Sequence, residues 1–277
     1  MKKFTTLLLA LLLTFSFAAC SKPQEPAEPQ QPENQNTENE PETAVSDLEY
    51  VKNKGTLIVG ITDFEPMDYK APSGEWIGFD ADMAKEFAKT LGVEVEFIEI
   101  DWDNKVFELE NKSIDCVWNG MTLNEGTYNT MECSLPYCNN AQVVVVKKDN
   151  ANVEDLSTLA FACENGSAGQ EALDALGNVE YTAVLTQADA LMEVAAGTSD
   201  ACVIDLLMAA AMIGEGTAYP DLVYTKELTS EKYGVGFRKG SDLCQEYNEF
   251  YNMFFCADKV RAVASKYGVQ ASIINEY

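Results

Sequence analysis

Gly78-Phe79-Asp80-Ala81-Asp82-Met83-Ala84 opens the stretch whose reading decides the fold. Asp80 can cap a helix on which Ala84, Phe87, Ala88 and Leu91 recur at i, i+3, i+4 and i+7, and Gly92 can end it. Directly after it, Val93-Glu94-Val95-Glu96-Phe97 alternates with period two, as a strand with one wet face does. Upstream, Thr56-Leu57-Ile58-Val59-Gly60 is a short apolar run of strand length. Working outward, further strands are predicted at Ile114–Trp118, Gln142–Val146, Leu159–Cys163, Tyr181–Val184, Ala201–Ile204, Leu222–Tyr224 and Tyr233–Phe237, with helices fitting between several of them. The alternation is α/β, which places ligand sites at the carboxyl ends of strands. A last helix, about Ser241 to Cys256, carries Leu243, Tyr247, Phe250, Tyr251, Phe254 and Phe255 at core spacing, so packing explains it better than a cofactor face.

The N-terminus has its own logic. Lys2 and Lys3 precede an apolar run from Leu7 to Leu13, then Phe17-Ala18-Ala19-Cys20. The run is too short to span a bilayer, and small residues sit where a signal peptidase cuts. Residues 1–19 therefore read as an export signal, with Cys20 as the acylated first residue of a mature chain held at the outer face of the cell membrane. Ser21 to Ser46 contains five prolines among Gln, Asn and Glu and has no aromatic residue. It cannot bury enough apolar surface to offset its ordering entropy. A mobile tether of about 26 residues, spanning on the order of 30 Å, is expected.

Charge and composition exclude several functions. The formal charge is −26, about −28 once Lys2 and Lys3 leave with the signal. That field argues against nucleic acid and anionic lipid, and disfavours strongly anionic ligands. The chain has no His, and its arginines are Arg238 and Arg261 alone. Imidazole zinc sites and Ser-His-Asp or Cys-His catalysis are thereby impossible, and neither metal nor cofactor is expected. Cys116, Cys163 and Cys202 sit in apolar strand-like runs, where cysteine behaves as a small hydrophobe. Seven cysteines after Cys20 is an odd number for a full disulfide framework.

With these segments in order, the chain resembles the amino-acid-type solute-binding proteins of ABC importers, solute-binding family 3. The resemblance rests on Gly78 to Ala84, Gly55 to Gly60, the Pro66 turn, Asp115 to Thr122, Leu135-Pro136-Tyr137, Gly166-Ser167, Asp200-Ala201 and Asp205, and covers Gly55 to Gly268. It implies a two-lobe periplasmic-binding-protein-like fold of type II, closing about two crossing strands. Lobe one would be residues 47–141 plus 236–277 and lobe two 142–235, with crossings near Val143–Lys147 and Tyr233–Phe237 and a polar linker at Asp149–Ser157. A monomer delivering a small solute to a membrane permease is the implied role.

The resemblance also implies a site. Phe64 would stack on the ligand, with Asp63 beside it. Asn119, Gly120, Met121 and Thr122 would take its polar groups, Ser167 and Ala168 its carboxylate at a helix N-terminus, and Asp205 its ammonium. For Asp205, helix capping is the competing role. One departure stands out: the family's carboxylate-binding Arg is here Thr127. Either the helix end and a Lys do that work, or the ligand lacks an ordinary α-carboxylate. Asp63, Glu65, Glu164 and Asp205 tilt the expected cleft toward polar neutral or cationic ligands over acidic ones. A dehydratase-like enzyme on the same fold, or a sensing module for a separate membrane partner, are the competing expectations.

Overall fold

The computed structural model describes residues 46–276, so the export signal, Cys20 and most of the tether lie outside the described residues. The strands are β1 (Thr56–Ile61), β2 (Tyr69–Lys70), β3 (Trp76–Ile77), β4 (Glu94–Glu99), β5 (Cys116–Thr122), β6 (Glu132–Cys133), β7 (Cys138–Asn140), β8 (Gln142–Lys147), β9 (Ala160–Glu164), β10 (Glu180–Val184), β11 (Ala201–Asp205), β12 (Leu222–Glu227) and β13 (Glu231–Phe237). The helices are α1 (Asp47–Lys54), α2 (Phe79–Leu91), α3 (Lys105–Glu110), α4 (Glu125–Thr130), α5 (Ala168–Leu176), α6 (Gln187–Ala196), α7 (Leu206–Met212), α8 (Leu243–Cys256) and α9 (Lys259–Lys266). Ser46, read as the last tether residue, is already structured: its hydroxyl accepts from Glu49 N–H at 3.0 Å and caps α1.

Two mixed sheets form two lobes. The first runs β4-β1-β5-β13-β6, with β7 also on β13; the second runs β10-β9-β11-β8-β12. In each, parallel strands carry the α/β part, and one antiparallel strand returns from the other lobe. The chain changes sheets at Ala141, between β7 and β8, and at residues 228–230, between β12 and β13. Leu228 N–H donates to Gln142 O and Gln142 N–H to Thr229 Oγ1, both at 2.8 Å, so the two passages are tied together. Three sequence readings are corrected here. Val143–Lys147 and Tyr233–Phe237 do not cross; each is laddered inside one sheet, because a buried apolar strand needs partners on both sides. Residues 231–235, assigned to lobe two, pair with β5 and β7 of the first sheet. The polar stretch Asp149–Ser157 joins β8 to β9 within the second sheet rather than leading into that lobe.

The opening stretch folds as a helix start with a different cap. Gly78, at φ +130°, precedes α2, and the N–H groups of Phe79 and Asp80 donate to Pro66 O and Met67 O, each at 3.0 Å. The loop satisfies the first turn, so Asp80 is not the cap. A Cβ at position 78 would stand 2.1 Å from Met67 O, which only glycine avoids. Asp80 is instead fully buried, its Oδ2 accepting from Gly120 N–H and Tyr137 O–H, both at 2.7 Å. The apolar face packs as its spacing predicts: Phe87 lies 5.1 Å from Phe250 of α8, and Trp118 of β5 lies 4.9 Å from Tyr247. Burying one such ring contributes about 1.5–3 kcal/mol. Cys116, Cys163 and Cys202 are buried as free thiols.

Arg238 is spent on the first lobe. Its Nε meets Asp47 at 2.8 Å, Nη1 donates to Ile114 O at 2.7 Å, and Nη2 reaches Asp115 at 3.3 Å, while Lys54 pairs with the same Asp115 at 2.6 Å. Arg261 sits exposed on Asp258.

Candidate functional site

Strands β5, β9 and β11 deliver their carboxyl ends to one place, facing α3 and the start of α4. A cavity of about 50 Å³ lies there. Its walls include Asn119, Gly120, Met121, Thr122 and Thr127 from the first lobe, and Glu164, Ser167, Ala168 and Asp205 from the second, so nine sequence-predicted positions converge. The cavity holds a water or two, against roughly 300–1,000 Å³ for a ligand pocket. Admitting a solute requires the walls to part.

Three residues expected in the cleft, Asp63, Phe64 and Glu65, are not on those walls. Phe64 is 1% exposed, packed edge-on against Tyr233 at 6.3 Å. Its ring reaches that position because Gly120, at φ +58°, has no side chain: a Cβ there would stand 2.5 Å from Phe64 Cε1. The ring stacks on protein where the resemblance had it stacking on ligand. Asp63 is exposed beside it.

Each polar group has a traceable environment. Asn119 Oδ1 accepts from Thr62 N–H at 3.1 Å and its Nδ2 donates to Thr62 Oγ1 at 2.8 Å, so this amide holds β1 to β5. Thr127 sits in a capping box with Asn124: its N–H donates to Asn124 Oδ1, and Asn124 N–H to Thr127 Oγ1, both at 2.9 Å. Ser167 caps α5, accepting from Gln170 N–H at 3.2 Å while donating to Glu164 O at 2.7 Å. The first-turn N–H groups of α5, which no intrahelical carbonyl can reach, face an anion-favouring helix end.

Asp205 precedes α7 but makes no capping bond. Its Oδ1 accepts from Tyr233 O–H at 2.5 Å, from Gln142 Nε2 at 2.9 Å and from Asn140 Nδ2; its Oδ2 accepts from Gln187 Nε2. Asn140 and Gln142 donate in turn to Glu231 Oε1, at 2.7 and 2.8 Å. The network sits where the chain changes sheets. Burial, and next the charge of Glu231, raise the Asp205 carboxyl to about 7.

Glu164 is 2% exposed, and its Oε1 has no hydrogen-bond partner among the described residues. Burial, and next Asp205, push its carboxyl up to about 8, with Lys105 opposing.

Sequence reasoning missed five further wall residues: Trp102, Lys105, Asn124, Glu171 and Gln187. Asn124 Nδ2 donates to Glu171 Oε2 at 2.9 Å, and Lys105 Nζ donates to Gly166 O at 3.1 Å, each joining the two lobes. No periodicity marks them. Their one signal is chemical, a lysine and an amide at the ends of short polar segments.

Two α/β lobes, joined by short passages at Ala141 and residues 228–230 and facing a polar cleft, make up a two-lobe periplasmic-binding-like fold. The chain belongs to the bacterial extracellular solute-binding proteins, family 3, whose model matches residues 57–272. It is similar to the L-cystine-binding protein TcyJ of Escherichia coli K12, 30% identical over 212 residues, 73% of this chain and 78% of that protein. It is also similar to the arginine-binding extracellular protein ArtP of Bacillus subtilis, 26% identical over 90% of this chain and 91% of that one. Among solved structures, the P235GK mutant of ArgBP from T. maritima matches with TM-score 0.75 and 30% identity, covering 80% of this chain and 99% of that one. An ancestral amino acid-binding protein, AncCDT-1, described as a precursor of cyclohexadienyl dehydratase, matches at 0.73 and 31%, with the same coverage. Among the described residues, no helix is long and apolar enough to cross a membrane.

Proposed function

We propose that this protein is a monomeric extracellular receptor, tethered to the membrane through acylated Cys20, that binds an amino-acid-like solute and hands it to an ABC permease. The solute is polar and neutral or cationic in preference to acidic. One observation carries the reading: the cleft sets the α5 N-terminus at Ser167 and Ala168 against the buried acids Glu164 and Asp205, a polarity matched to a ligand with a carboxylate at one end and an ammonium at the other. Relatives named for cystine and arginine support an amino-acid class of ligand.

The test is a thermal-shift and calorimetric screen of the chain from Ser46 onward against L-arginine, L-glutamine, L-cystine, L-glutamate and putrescine. Ligand at a hundred times Kd stabilises the folded state by about 2.7 kcal/mol, which a melt resolves. Stabilisation by one of the first three, exceeding that by glutamate, is the expected result; a flat panel refutes the receptor reading.

Catalysis has one observation on its side, since Glu164 is a buried acid whose Oε1 has no partner among the described residues and whose carboxyl burial pushes up. Consumption of the bound solute by the same sample would decide for it.

A further inference from the structure

The cleft has a positive charge whose position charge counting and the family pattern leave open. Lys105 is the one cationic residue among the cavity's walls. Of the two arginines, Arg238 is locked onto Asp47 and Asp115, and Arg261 lies on Asp258. Thr127, where the family places its arginine, spends its hydroxyl inside the turn that opens α4.

Lys105 has acids around it but none in direct contact. Its Nζ donates to two neutral carbonyls, Trp102 O and Gly166 O, both at 3.1 Å, and lies 4.8 Å from the centre of the Trp102 ring. An ammonium has three N–H donors, so one remains. Other lysines of this acid-rich chain do find acids: Lys54, Lys70, Lys85, Lys112, Lys232 and Lys266 each pair with a carboxylate. Among the described residues none lies within 4.0 Å of Lys105. Burial lowers its pKa, and the charges of Glu164, Asp103, Glu171 and Asp101, none of them in ion-pair contact, oppose that shift.

Its position matters as much as its charge. Lys105 belongs to the first lobe, and Gly166, whose carbonyl it holds, immediately precedes the Ser167 cap of α5 in the second. A carboxylate entering at the α5 N-terminus would therefore meet helix N–H groups from one lobe and this ammonium from the other. The buried, unpartnered Oε1 of Glu164 lines the same cavity and leaves room there for a donor on the ligand.

Resting on the receptor reading above, we infer that Lys105 takes the part of the missing arginine, receiving the ligand's free carboxylate across the cleft and making that carboxylate the group that bridges the lobes. The ligand class narrows accordingly to amino acids with a free α-carboxylate; amidated and decarboxylated analogues are excluded.

The test is calorimetric titration of wild type, Lys105→Met and Lys105→Arg with L-arginine, L-glutamine, L-cystine, L-argininamide and agmatine. Thermal unfolding without ligand checks that the variants are folded. Wild type binds at least one of the three amino acids and discriminates against argininamide and agmatine. Lys105→Met weakens amino-acid binding about 10- to 100-fold, the loss of one charge-assisted hydrogen bond, and changes the two analogues less than threefold. Lys105→Arg keeps most of the affinity. Undiminished amino-acid binding by Lys105→Met, or argininamide bound by wild type as tightly as arginine, overturns the inference and leaves the receptor reading standing. Failure of wild type to bind any of the five probes removes both.

Discussion

Replacing Asp68 by asparagine should make this protein more stable at neutral pH, and increasingly so as the pH rises. Asp68 is wholly buried, and neither of its carboxylate oxygens has a hydrogen-bond partner among the described residues. Burial, and then the charge of nearby Asp80, raise its carboxyl well above the usual range, with Lys85 opposing. Asp80 itself is pushed by burial to about 7. A carboxyl whose pKa is raised by folding binds more protons in the native than in the unfolded state. Its contribution to stability is therefore complete below the unfolded pKa of 3.8 and is lost as the pH climbs toward the folded one. A proton retained on folding is worth on the order of 1 kcal/mol per pH unit, so roughly 2 kcal/mol between pH 5 and pH 7. The amide removes that titration. Urea unfolding of both proteins at pH 5, 6 and 7 should show an advantage for Asp68→Asn that grows by about 2 kcal/mol over the range, worth about 5 °C in Tm. A difference that stays constant with pH, or a variant less stable at pH 7, would refute the account of the buried pair.

Two further variants test the site. Phe64→Ala should act through stability, costing about 3 kcal/mol in denaturant unfolding, because the ring is buried against Gly120 and Tyr233; a full-strength fold with lost ligand affinity would return Phe64 to the ligand. Glu164→Gln should flatten the pH dependence of L-arginine binding: in wild type the affinity rises as the carboxyl, held up to about 8 by burial, loses its proton between pH 7 and 9. The same variant should gain stability over wild type progressively from about pH 4.5 upward, since the raised acid loses its stabilising contribution over that interval. Calorimetry and unfolding curves in matched buffers check both.

The regular elements were legible because hydrophobic period is a local property. The nine strand predictions each fall on an observed strand, and the α8 aromatics are core, as their spacing says. The short pieces β2, β3, β6 and β7 were not read. Two or three residues carry no period, and it is the pairing partner that makes them strands. Asp80 shows a related limit. Its place near a helix start suggested a cap, but the loop carbonyls of Pro66 and Met67 took the first-turn N–H groups and freed the carboxylate to hold Gly120 and Tyr137.

For the site, the family resemblance proposed the positions at strand ends and the α5 N-terminus, and the composition alone showed the absence of any spare arginine. It could not say that Lys105, sixty-one residues before Gly166, would meet its carbonyl, or that Tyr233, Asn140 and Gln142 would close around Asp205. Those contacts exist only once two sheets, each completed by a strand from the far side of the hinge, bring their carboxyl edges together. Periodicity and composition are written along the chain, whereas burial, and with it the charge state of Glu164, Asp205 and Asp68, depends on which distant surfaces exclude water from them.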